Sequence, residues 1–275
     1  MIARAALCAA ALLSAAAAAP ARAPSPARAP GARTVTLQVL AAASLAGAFG
    51  ELAPAFERAH AGVRVRSSFG GSQQLASQLA QGAIADVFAS ADERCMRDVA
   101  GHGLLMGPAQ TFARNRLAVI VPDANPGHIR RLQDLARPGV ALVLAADAVP
   151  VGRYGRAMLR NLSADPAFGR DFDARVLRNV VSEEQDVLAV VGKVQLGEAD
   201  AGIVYASDVT PAVAGHVRAV AIPAAANVIA RYPIAVLRGA PASDAARAFV
   251  AFVRSPEGQR ILARHGLTGA APGAP

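Results

Sequence analysis

Two serines stand where a predicted strand ends and a helix is expected to begin. Ser44 lies in "AAASL", and Ser72 follows two glycines in "FGGS". The first N–H groups of a helix have no partner within the helix, and the helix dipole favours negative charge there. Such a position, combined with a hydroxyl donor, predicts an anion site. No lysine or arginine occurs between Arg66 and Arg94, so neutral groups would have to hold the anion around Ser72.

Two further strand-to-helix junctions lie in the second half of the chain. In "DAVPVGRYG", Pro150 suits the first turn of a helix, so that Val151 would offer a free backbone N–H. In "VSEEQDVLAVV", acids precede Val187 and suit the first turn of a helix predicted over 183–196. Tyr205 ends the next predicted strand, where its phenol could donate to a ligand. Taken singly, each of these features is also explained by an ordinary helix cap, a tight turn or packing.

The chain offers few groups for catalysis or for metal binding. After the first 32 residues Cys95 is the only cysteine, and the histidines are scattered without zinc-ligand spacing. Motifs for a nucleophile elbow, a zinc protease, a phosphate loop or a dinucleotide site are absent from the sequence. We therefore predict that the protein is not an enzyme and has no cofactor, and that Cys95 is a buried structural thiol.

The first 32 residues have the order of an export signal. Arg4 precedes an apolar run over 5–19, and small residues and prolines follow. The apolar run is shorter than the roughly 20 residues that span a bilayer. These features predict a cleaved signal peptide over 1–32 and a periplasmic protein. A retained anchor or a lipid anchor is the alternative.

The positive charge of the chain is spread out. The formal net charge is +8, and removal of the three arginines within 1–32 leaves +5. No basic run is longer than Arg130-Arg131, and Lys193 is the only lysine. Because nucleic-acid binding needs a concentrated basic surface, the sequence argues against a nucleic-acid partner.

Short apolar strands alternate with helical patterns along the rest of the chain. Strands are predicted over 34–40, 116–122, 176–180 and 232–238, among others. The helix predicted after Ser44 has an apolar face with i, i+4, i+7 and i+11 spacing, formed by Leu45, Phe49, Leu52 and Phe56. This alternating order predicts an α/β protein with mainly parallel sheets. The order alone leaves open whether one sheet or two is formed.

Six segments along the chain carry a specific resemblance. They are "AAASL", "SFGGS", "GAIADVFASAD", "VPVGRY", "GEADAGIVYASD" and "YPIAV". In this order they resemble the molybdate-binding proteins that serve bacterial ATP-driven importers. The resemblance implies a type II periplasmic binding protein fold, in which two α/β lobes, joined by two crossing hinge strands, close over an oxyanion. It implies lobe 1 at 33–113 plus 237–275 and lobe 2 at 114–236, with crossings near Ala113–Leu117 and Arg231–Val236.

The resemblance also implies which groups hold the oxyanion. Matched motif by motif, these are the hydroxyls of Ser44, Ser72 and Tyr205 and the backbone amides of Val151 and Val187. Molybdenum would be present only within bound molybdate, without a direct protein ligand. The position of Val151 is often alanine in that family, so a larger side chain there is a departure. The acids of "SEEQD" beside the site are expected to point outward.

The function implied by the resemblance is capture of molybdate or tungstate by a monomeric receptor, for delivery to the membrane permease of an ABC importer. Donors alone can satisfy a dianion that carries no proton, whereas hydrogen phosphate would bury a hydroxyl without an acceptor. A receptor for sulfate or another oxyanion is the alternative with the same fold and a smaller cavity. An enzyme or a regulatory effector domain on this fold is the alternative from another class.

Overall fold

A computed structural model describes residues 34–269 of the chain. The predicted signal peptide over 1–32 lies outside these residues. The described part contains eleven strands in two sheets, together with nine α-helices. Between residues 34 and 269, no helix combines the length and the apolar composition that a membrane span requires. The predicted α/β class is confirmed.

Six strands form the first sheet. They are β1 (Val35–Ala42), β2 (Val63–Gly70), β3 (Val87–Ala89), β4 (Gln110–Asn115), β10 (Ala230–Val236) and β11 (Thr268–Gly269). Their order across the sheet is β11-β4-β10-β3-β1-β2. β1 pairs in parallel with β2 and β3, whereas β10 is antiparallel to both β3 and β4.

Five strands form the second sheet. They are β5 (Leu117–Pro122), β6 (Leu142–Ala145), β7 (Val180–Glu184), β8 (Ala201–Tyr205) and β9 (Val217–Val220). Their order is β7-β6-β8-β5-β9. β6 pairs in parallel with β7 and β8, and β5 is antiparallel to β8 and β9.

Helices follow most of the strands. The α-helices are α1 (Ala46–Ala59), α2 (Ser72–Ala80), α3 (Glu93–Gly101), α4 (Pro150–Ser163), α5 (Phe172–Leu177), α6 (Val187–Gln195), α7 (Pro211–Ala214), α8 (Ser243–Arg254) and α9 (Pro256–Arg264). Short 3₁₀ turns occupy Ala43–Leu45, Leu132–Ala136 and Ala206–Asp208.

Both sheets are mixed, so the prediction of mainly parallel sheets is wrong. In the first sheet β1, β2 and β3 run the same way, in the second β6, β7 and β8 do, and each of these strands is followed by a helix. Their carboxyl ends face the other sheet. The chain reaches β5 and β10 from the opposite sheet. Both strands therefore begin at the edge that faces that sheet, and they are antiparallel to β8 and β3. The strand directions therefore follow from the crossings between the sheets.

The chain passes from the first sheet to the second at Arg116, between β4 and β5, as predicted for the first crossing. The return differs from the prediction. Arg231–Val236 lies within β10, which is hydrogen-bonded to β3 and β4 of the first sheet, so the return falls in residues 221–229. This corrects the predicted second crossing and moves β10 out of the predicted lobe 2 over 114–236. Relative motion of the two lobes stays a prediction.

Two local predictions in the second sheet are also wrong. Val176 belongs to α5, and the strand begins only at Val180. Glu183 and Glu184, two of the acids expected in the first turn of a helix, lie instead in β7, an edge strand paired with β6. An edge strand accepts this polar sequence because alternate side chains reach solvent.

The interior of the first lobe is built on aromatic side chains. The predicted apolar face of the first helix is confirmed, since Leu45, Phe49, Leu52 and Phe56 are fully buried. Phe49 contacts Phe112 of β4 and Phe249 of α8 edge-on, with ring centroids 6.0 and 5.9 Å apart. These contacts hold α1 and α8 against the sheet, and thereby fix the end of β1 where Ser44 lies.

Candidate functional site

A cavity lies between the two sheets, at the carboxyl ends of their parallel strands. It encloses an empty space of about 210 Å³, part of which opens to solvent. All five predicted site residues border it, namely Ser44, Ser72, Val151, Val187 and Tyr205. The structure thus brings together residues that are far apart in the sequence. Their contact with a ligand stays a prediction.

Ser44 lies in the 3₁₀ turn that follows β1 and does not cap a helix. Leu45 precedes α1, and no side chain caps that helix. The hydroxyl of Ser44 is instead 3.0 Å from the hydroxyl of Tyr232, and either can donate. Asn115 Nδ2 also donates to the Tyr232 oxygen over 3.3 Å, which favours Tyr232 as the donor to Ser44. In that arrangement the proton of Ser44 is left for a ligand.

Ser72 is the first residue of α2, and its side chain is buried. Its oxygen accepts the backbone N–H of Ala91 over 3.0 Å. A hydroxyl that accepts in this way still has its own proton to donate. Gly71 precedes Ser72 and has an ordinary backbone conformation without a positive φ. A glycine is needed there because other atoms approach it closely. A Cβ there would lie 2.6 Å from the carbonyl oxygen of Gln185 on the other lobe.

Val151 occupies the second position of α4. Val149 precedes that helix without a side-chain cap, and Pro150 has no N–H to offer. The N–H of Val151 has no acceptor within the helix, and it stands at the positive end of the helix dipole. The Val151 side chain is buried in the core, 1% exposed, so its extra size relative to alanine is taken up by packing.

Val187 is the first residue of α6. The preceding residue, Asp186, caps this helix by accepting the N–H of Ala189 over 3.1 Å. The carboxylate of Asp186 therefore satisfies the third residue of the helix, and the N–H of Val187 has no acceptor within the helix. Two helix starts, one at α4 and one at α6, thus meet at the same cavity.

Tyr205 ends β8 with its side chain 1% exposed. Its hydroxyl makes no hydrogen bond of good geometry within residues 34–269, although the Tyr232 hydroxyl is near enough to influence its pKa. Burial raises the pKa of Tyr205 well above its usual range, and the neighbouring Tyr232 raises it further. The phenol therefore remains protonated. A buried donor without a partner is costly, and most such groups in proteins are paired.

Sequence reasoning missed Tyr232 and Asn115. Tyr232 lies in β10, and its ring lies edge-on to that of Tyr205, with centroids 5.7 Å apart. Asn115 ends β4 and also donates to the Ser207 hydroxyl over 2.7 Å. These two residues support Ser44 and Tyr205 from the crossing strands. The motif "YPIAV" contained Tyr232, but its pairing with Ser44 spans 188 positions and has no local signal.

The acids before α6 do not share one orientation. Glu183 forms an ion pair with Arg156, and Glu184 pairs with Lys193 at 2.6 Å. Both glutamates are thereby held by cations of their own lobe. Asp186 borders the cavity, so the expectation that these acids all point outward is wrong for Asp186. Its role as a helix cap explains that position.

A second carboxylate lies beneath the site. Asp208 is buried and accepts the backbone N–H of Tyr205 over 2.9 Å. Burial raises the pKa of Asp208 to about 7, the hydrogen bond from Tyr205 opposes this rise, and the charge of Asp186 adds to it. Asp208 therefore positions the end of β8 and adds little negative charge below neutral pH.

The cavity is lined by neutral donors and not by cations. In the part of the chain that the structure describes, no lysine, arginine or histidine borders it. Over the same range, no cluster of histidine, cysteine and acidic side chains is suited to hold a metal ion. Three hydroxyls and two helix N-termini form a donor set that fits an anion.

Cys95 lies away from this set. It is buried in the packing of α3, and burial raises the pKa of its thiol to about 11. The prediction of a buried thiol is confirmed.

The sequence matches a known family. The sequence profile of the bacterial extracellular solute-binding proteins matches residues 37–268. The chain belongs to this family. Within a solute-binding protein, a cavity between two sheets is the expected position of the solute.

Two relatives of this chain have the same name. The molybdate-binding protein ModA of Mycobacterium tuberculosis is 43% identical over 237 residues, which are 86% of this chain and 85% of that protein. The molybdate-binding protein ModA of Escherichia coli is 32% identical over 240 residues, which are 84% of this chain and 88% of that protein.

Solved structures share the two-lobe architecture. The periplasmic molybdate-binding protein of Azotobacter vinelandii superposes with a TM-score of 0.71 at 22% identity, covering 86% of this chain and 100% of that one. The sulfate-binding protein SubI of Mycobacterium tuberculosis superposes with a TM-score of 0.78 at 20% identity, covering 86% of this chain and 88% of that one. At these identities the likeness concerns the fold alone. The predicted two-lobe α/β fold is confirmed.

Proposed function

We propose that this solute-binding protein captures molybdate, or tungstate, between its lobes and delivers it to the membrane permease of an ABC importer. The observation that carries the proposal is the buried hydroxyl of Tyr205, which lacks a partner and borders a cavity ringed by neutral donors. The names of the relatives at 43% and 32% identity support molybdate as the solute.

The donor set suits an oxyanion that carries no proton. Each oxygen of such a dianion accepts hydrogen bonds that the charge of the ligand strengthens. Ser44, Ser72 and Tyr205 would donate hydroxyl protons, and Val151 and Val187 would donate backbone N–H groups. We propose no cofactor and no direct bond from protein to molybdenum. The same five donors contain no general acid or base for catalysis, which supports a receptor and not an enzyme.

Selectivity would follow from protonation and size. Hydrogen phosphate carries a hydroxyl that needs an acceptor, and leaving it unpaired on burial costs roughly 1–3 kcal/mol. Asp186 is the one acidic residue that borders the cavity, and its Oδ1 accepts the N–H of Ala189. Rejection of hydrogen phosphate therefore requires that the second oxygen of Asp186, Oδ2, does not reach the ligand. Sulfate carries no such hydroxyl at neutral pH, so only its smaller size would separate it from molybdate and tungstate.

Delivery would follow from closure of the lobes. A ligand that contacts both lobes stabilises the closed form by the difference between its affinities for the two forms. Ser44 and Ser72 belong to the first lobe, and Val151, Val187 and Tyr205 to the second. The permease would recognise the closed form.

Export and assembly complete the proposal. Membership of an extracellular family agrees with an exported protein, and we propose a periplasmic monomer released by cleavage of residues 1–32. Sequencing of the amino terminus of the protein recovered from the periplasm tests the cleavage. A mature chain that retains the apolar run over 5–19 would contradict it.

The experiment that tests the function is calorimetric titration of the exported protein with molybdate, tungstate, sulfate and phosphate in turn. We expect tight binding of the first two and none of the last two. Tight binding of sulfate in place of molybdate would keep the donor set and overturn the named solute. Absence of heat with all four anions would overturn the oxyanion receptor.

A further inference from the structure

One ion pair crosses the cleft beside the cavity. Asp92 precedes α3 in the first lobe, and Arg153 lies on α4 in the second. The Arg153 guanidinium donates to Oδ2 of Asp92. The pair therefore exists only when the two lobes are together.

Each partner is held in position by its own lobe. Oδ1 of Asp92 accepts the N–H of Cys95 over 2.9 Å, which caps α3. Nη1 of Arg153 donates to the carbonyl oxygen of Ala148 over 2.7 Å. Each side chain thus forms a hydrogen bond within its own lobe and another, through its other terminal oxygen or nitrogen, across the cleft. This arrangement reduces the conformational entropy lost when the pair forms.

The pair is sheltered from water. The Asp92 side chain is 4% exposed and the Arg153 side chain 20%. Exposed ion pairs contribute little to stability, whereas removing one partner of a sheltered pair leaves the other charge without compensation. Opening of the cleft would likewise leave both charges to be rehydrated.

Both partners are close in sequence to residues of the cavity wall. Ala91, which precedes Asp92, borders the cavity and donates its N–H to Ser72. Val151 lies two residues before Arg153 on the same helix start. Movement of either wall would therefore move one half of the pair.

A second set of contacts crosses the cleft nearby. Gln73 donates to the carbonyl oxygen of Gln185 over 3.0 Å, and Gln74 donates to its side-chain oxygen over 3.1 Å. These amides are exposed and uncharged, so they contribute less to closure than the sheltered pair.

We propose that Asp92 and Arg153 act as positioning residues that hold the lobes closed over the bound oxyanion and set its rate of release. This inference rests on the proposed function. Neither Asp92 nor Arg153 borders the cavity. Its loss should accelerate release while affecting capture much less, because the pair forms after the anion has entered.

The test measures release of radiolabelled molybdate from the loaded protein after a chase with excess unlabelled molybdate. The variants are Arg153→Gln and Asp92→Asn, and the association rate of each is measured in parallel. We expect release to be roughly tenfold faster or more in both, with association changed by less than about threefold. Asn at position 92 keeps an oxygen for the Cys95 N–H, so this variant retains the cap of α3.

The Asp92→Asn variant separates two roles for Arg153. If Arg153 served only to attract the anion, freeing it from Asp92 would slow release or leave it unchanged. If the pair holds the lobes together, the same substitution accelerates release. Arg218→Gln is the matched control, because Arg218 pairs with Asp123 at 2.8 Å within the second lobe. Release from this control should match the wild-type protein.

Release at the wild-type rate from Asp92→Asn would overturn the inference, even if Arg153→Gln failed to fold. Binding of the four anions by the wild-type protein is measured first, and this measurement alone tests the proposed function. Wild-type capture with unaltered release from the variants would overturn the ion-pair role alone. A wild-type protein that captures none of the four anions would overturn both.

Discussion

At the scale of single residues, the hydroxyl of Tyr205 is a cost to the folded protein without ligand. A buried polar group without a partner lowers stability by roughly 1–3 kcal/mol. Within residues 34–269 the Tyr205 hydroxyl has no such partner, although the ring itself is packed against Tyr232. An anion that accepts from this hydroxyl removes that cost. The residue thus favours the bound state at the expense of the free one.

The first prediction concerns Tyr205→Phe. Loss of a hydrogen bond to a charged acceptor costs about 1.5–3 kcal/mol, so the affinity for molybdate should fall by roughly 10- to 150-fold. The melting temperature of the ligand-free protein should stay the same or rise, because the unpaired group is gone. Calorimetry and thermal unfolding measure the two effects.

Tyr154→Phe is the control for this prediction. Tyr154 lies on α4 but does not border the cavity. Its substitution should leave the affinity within about twofold of the wild-type value. An equal loss of affinity in both variants would contradict a direct role for the Tyr205 hydroxyl.

The second prediction concerns the pH dependence that Asp208 imposes. Its pKa is about 7 in the folded protein, against 3.8 for an unperturbed aspartate. Between these values the unfolded chain is ionised while the folded protein keeps the proton. The contribution of Asp208 to the free energy of unfolding should therefore fall as the pH rises from about 4 to 7, by up to about 1.4 kcal/mol per pH unit.

Asp208→Asn isolates this contribution from those of other carboxylates. The amide oxygen can still accept the N–H of Tyr205, but it does not titrate. Denaturant unfolding at several pH values should show the variant gaining stability relative to the wild-type protein between pH 4 and 7. Parallel curves over that range would show that Asp208 is ionised in the folded state.

At the scale of elements, the start of α4 depends on a position without a side chain. A Cβ on Gly152 would overlap the carbonyl oxygens of Ala145 and Ala146, at the end of β6. Gly152 has no positive φ, so the requirement is one of space alone. The helix can approach β6 closely because of this glycine, and the N–H of Val151 is placed at the cavity as a result.

The third prediction concerns Gly152→Ala. Overpacking against backbone atoms should reduce the free energy of unfolding by about 1–3 kcal/mol. The affinity for molybdate should also fall, because the start of α4 must move. Gly192→Ala on α6 is the matched control, since a Cβ there meets nothing within 4 Å. That control should stabilise the protein by up to about 1 kcal/mol and leave binding unchanged.

Local sequence patterns predicted the elements that carry the site, but not every boundary. The apolar spacing of Leu45, Phe49, Leu52 and Phe56 predicted α1 because one face of that helix is buried. Residues 183–184 were predicted incorrectly as a helix start because their acids suit one, and only pairing with β6 makes them part of a strand. That pairing depends on residues nearly forty positions earlier, which no local pattern reports.

At the scale of the whole molecule, the two crossings were only partly predictable. The passage at Arg116 was expected, whereas the return through 221–229 was not, because "YPIAV" is as apolar as a strand of either lobe. Its place in the first sheet depends on hydrogen bonds to β3 and β4. The support that Asn115 and Tyr232 give to Ser44 depends on those crossings, so local patterns could not reveal it.

The fourth prediction concerns closure of the whole molecule. Gly71 and the carbonyl oxygen of Gln185 face each other across the cleft, and a Cβ on Gly71 would lie 2.6 Å from that oxygen. Gly71→Ala should therefore prevent full closure and weaken molybdate binding by roughly tenfold or more, the equivalent of an overpacking cost of about 1–3 kcal/mol. Small-angle scattering should show a smaller decrease in radius of gyration with molybdate than in the wild-type protein.

Gly70→Ala provides the control on the adjacent residue. A Cβ on Gly70 would meet its nearest neighbour, a side-chain carbon of Leu75, at an ordinary 3.6 Å. Compaction with molybdate should therefore match that of the wild-type protein; because Gly70 also borders the cavity, this control tests closure and not affinity. Equal effects of the two substitutions would mean that the glycines matter for the local turn and not for contact between the lobes.

The placement of the aromatic residues has a spectroscopic consequence. The chain contains three tyrosines and no tryptophan. Tyr205 and Tyr232 are in contact beside the cavity, and Tyr154 lies on the helix whose start forms its wall. All of the tyrosine fluorescence therefore originates around the cleft, without a tryptophan elsewhere to quench or mask it. The unlabelled wild-type protein has an optical signal confined to the region where its solute would enter and leave.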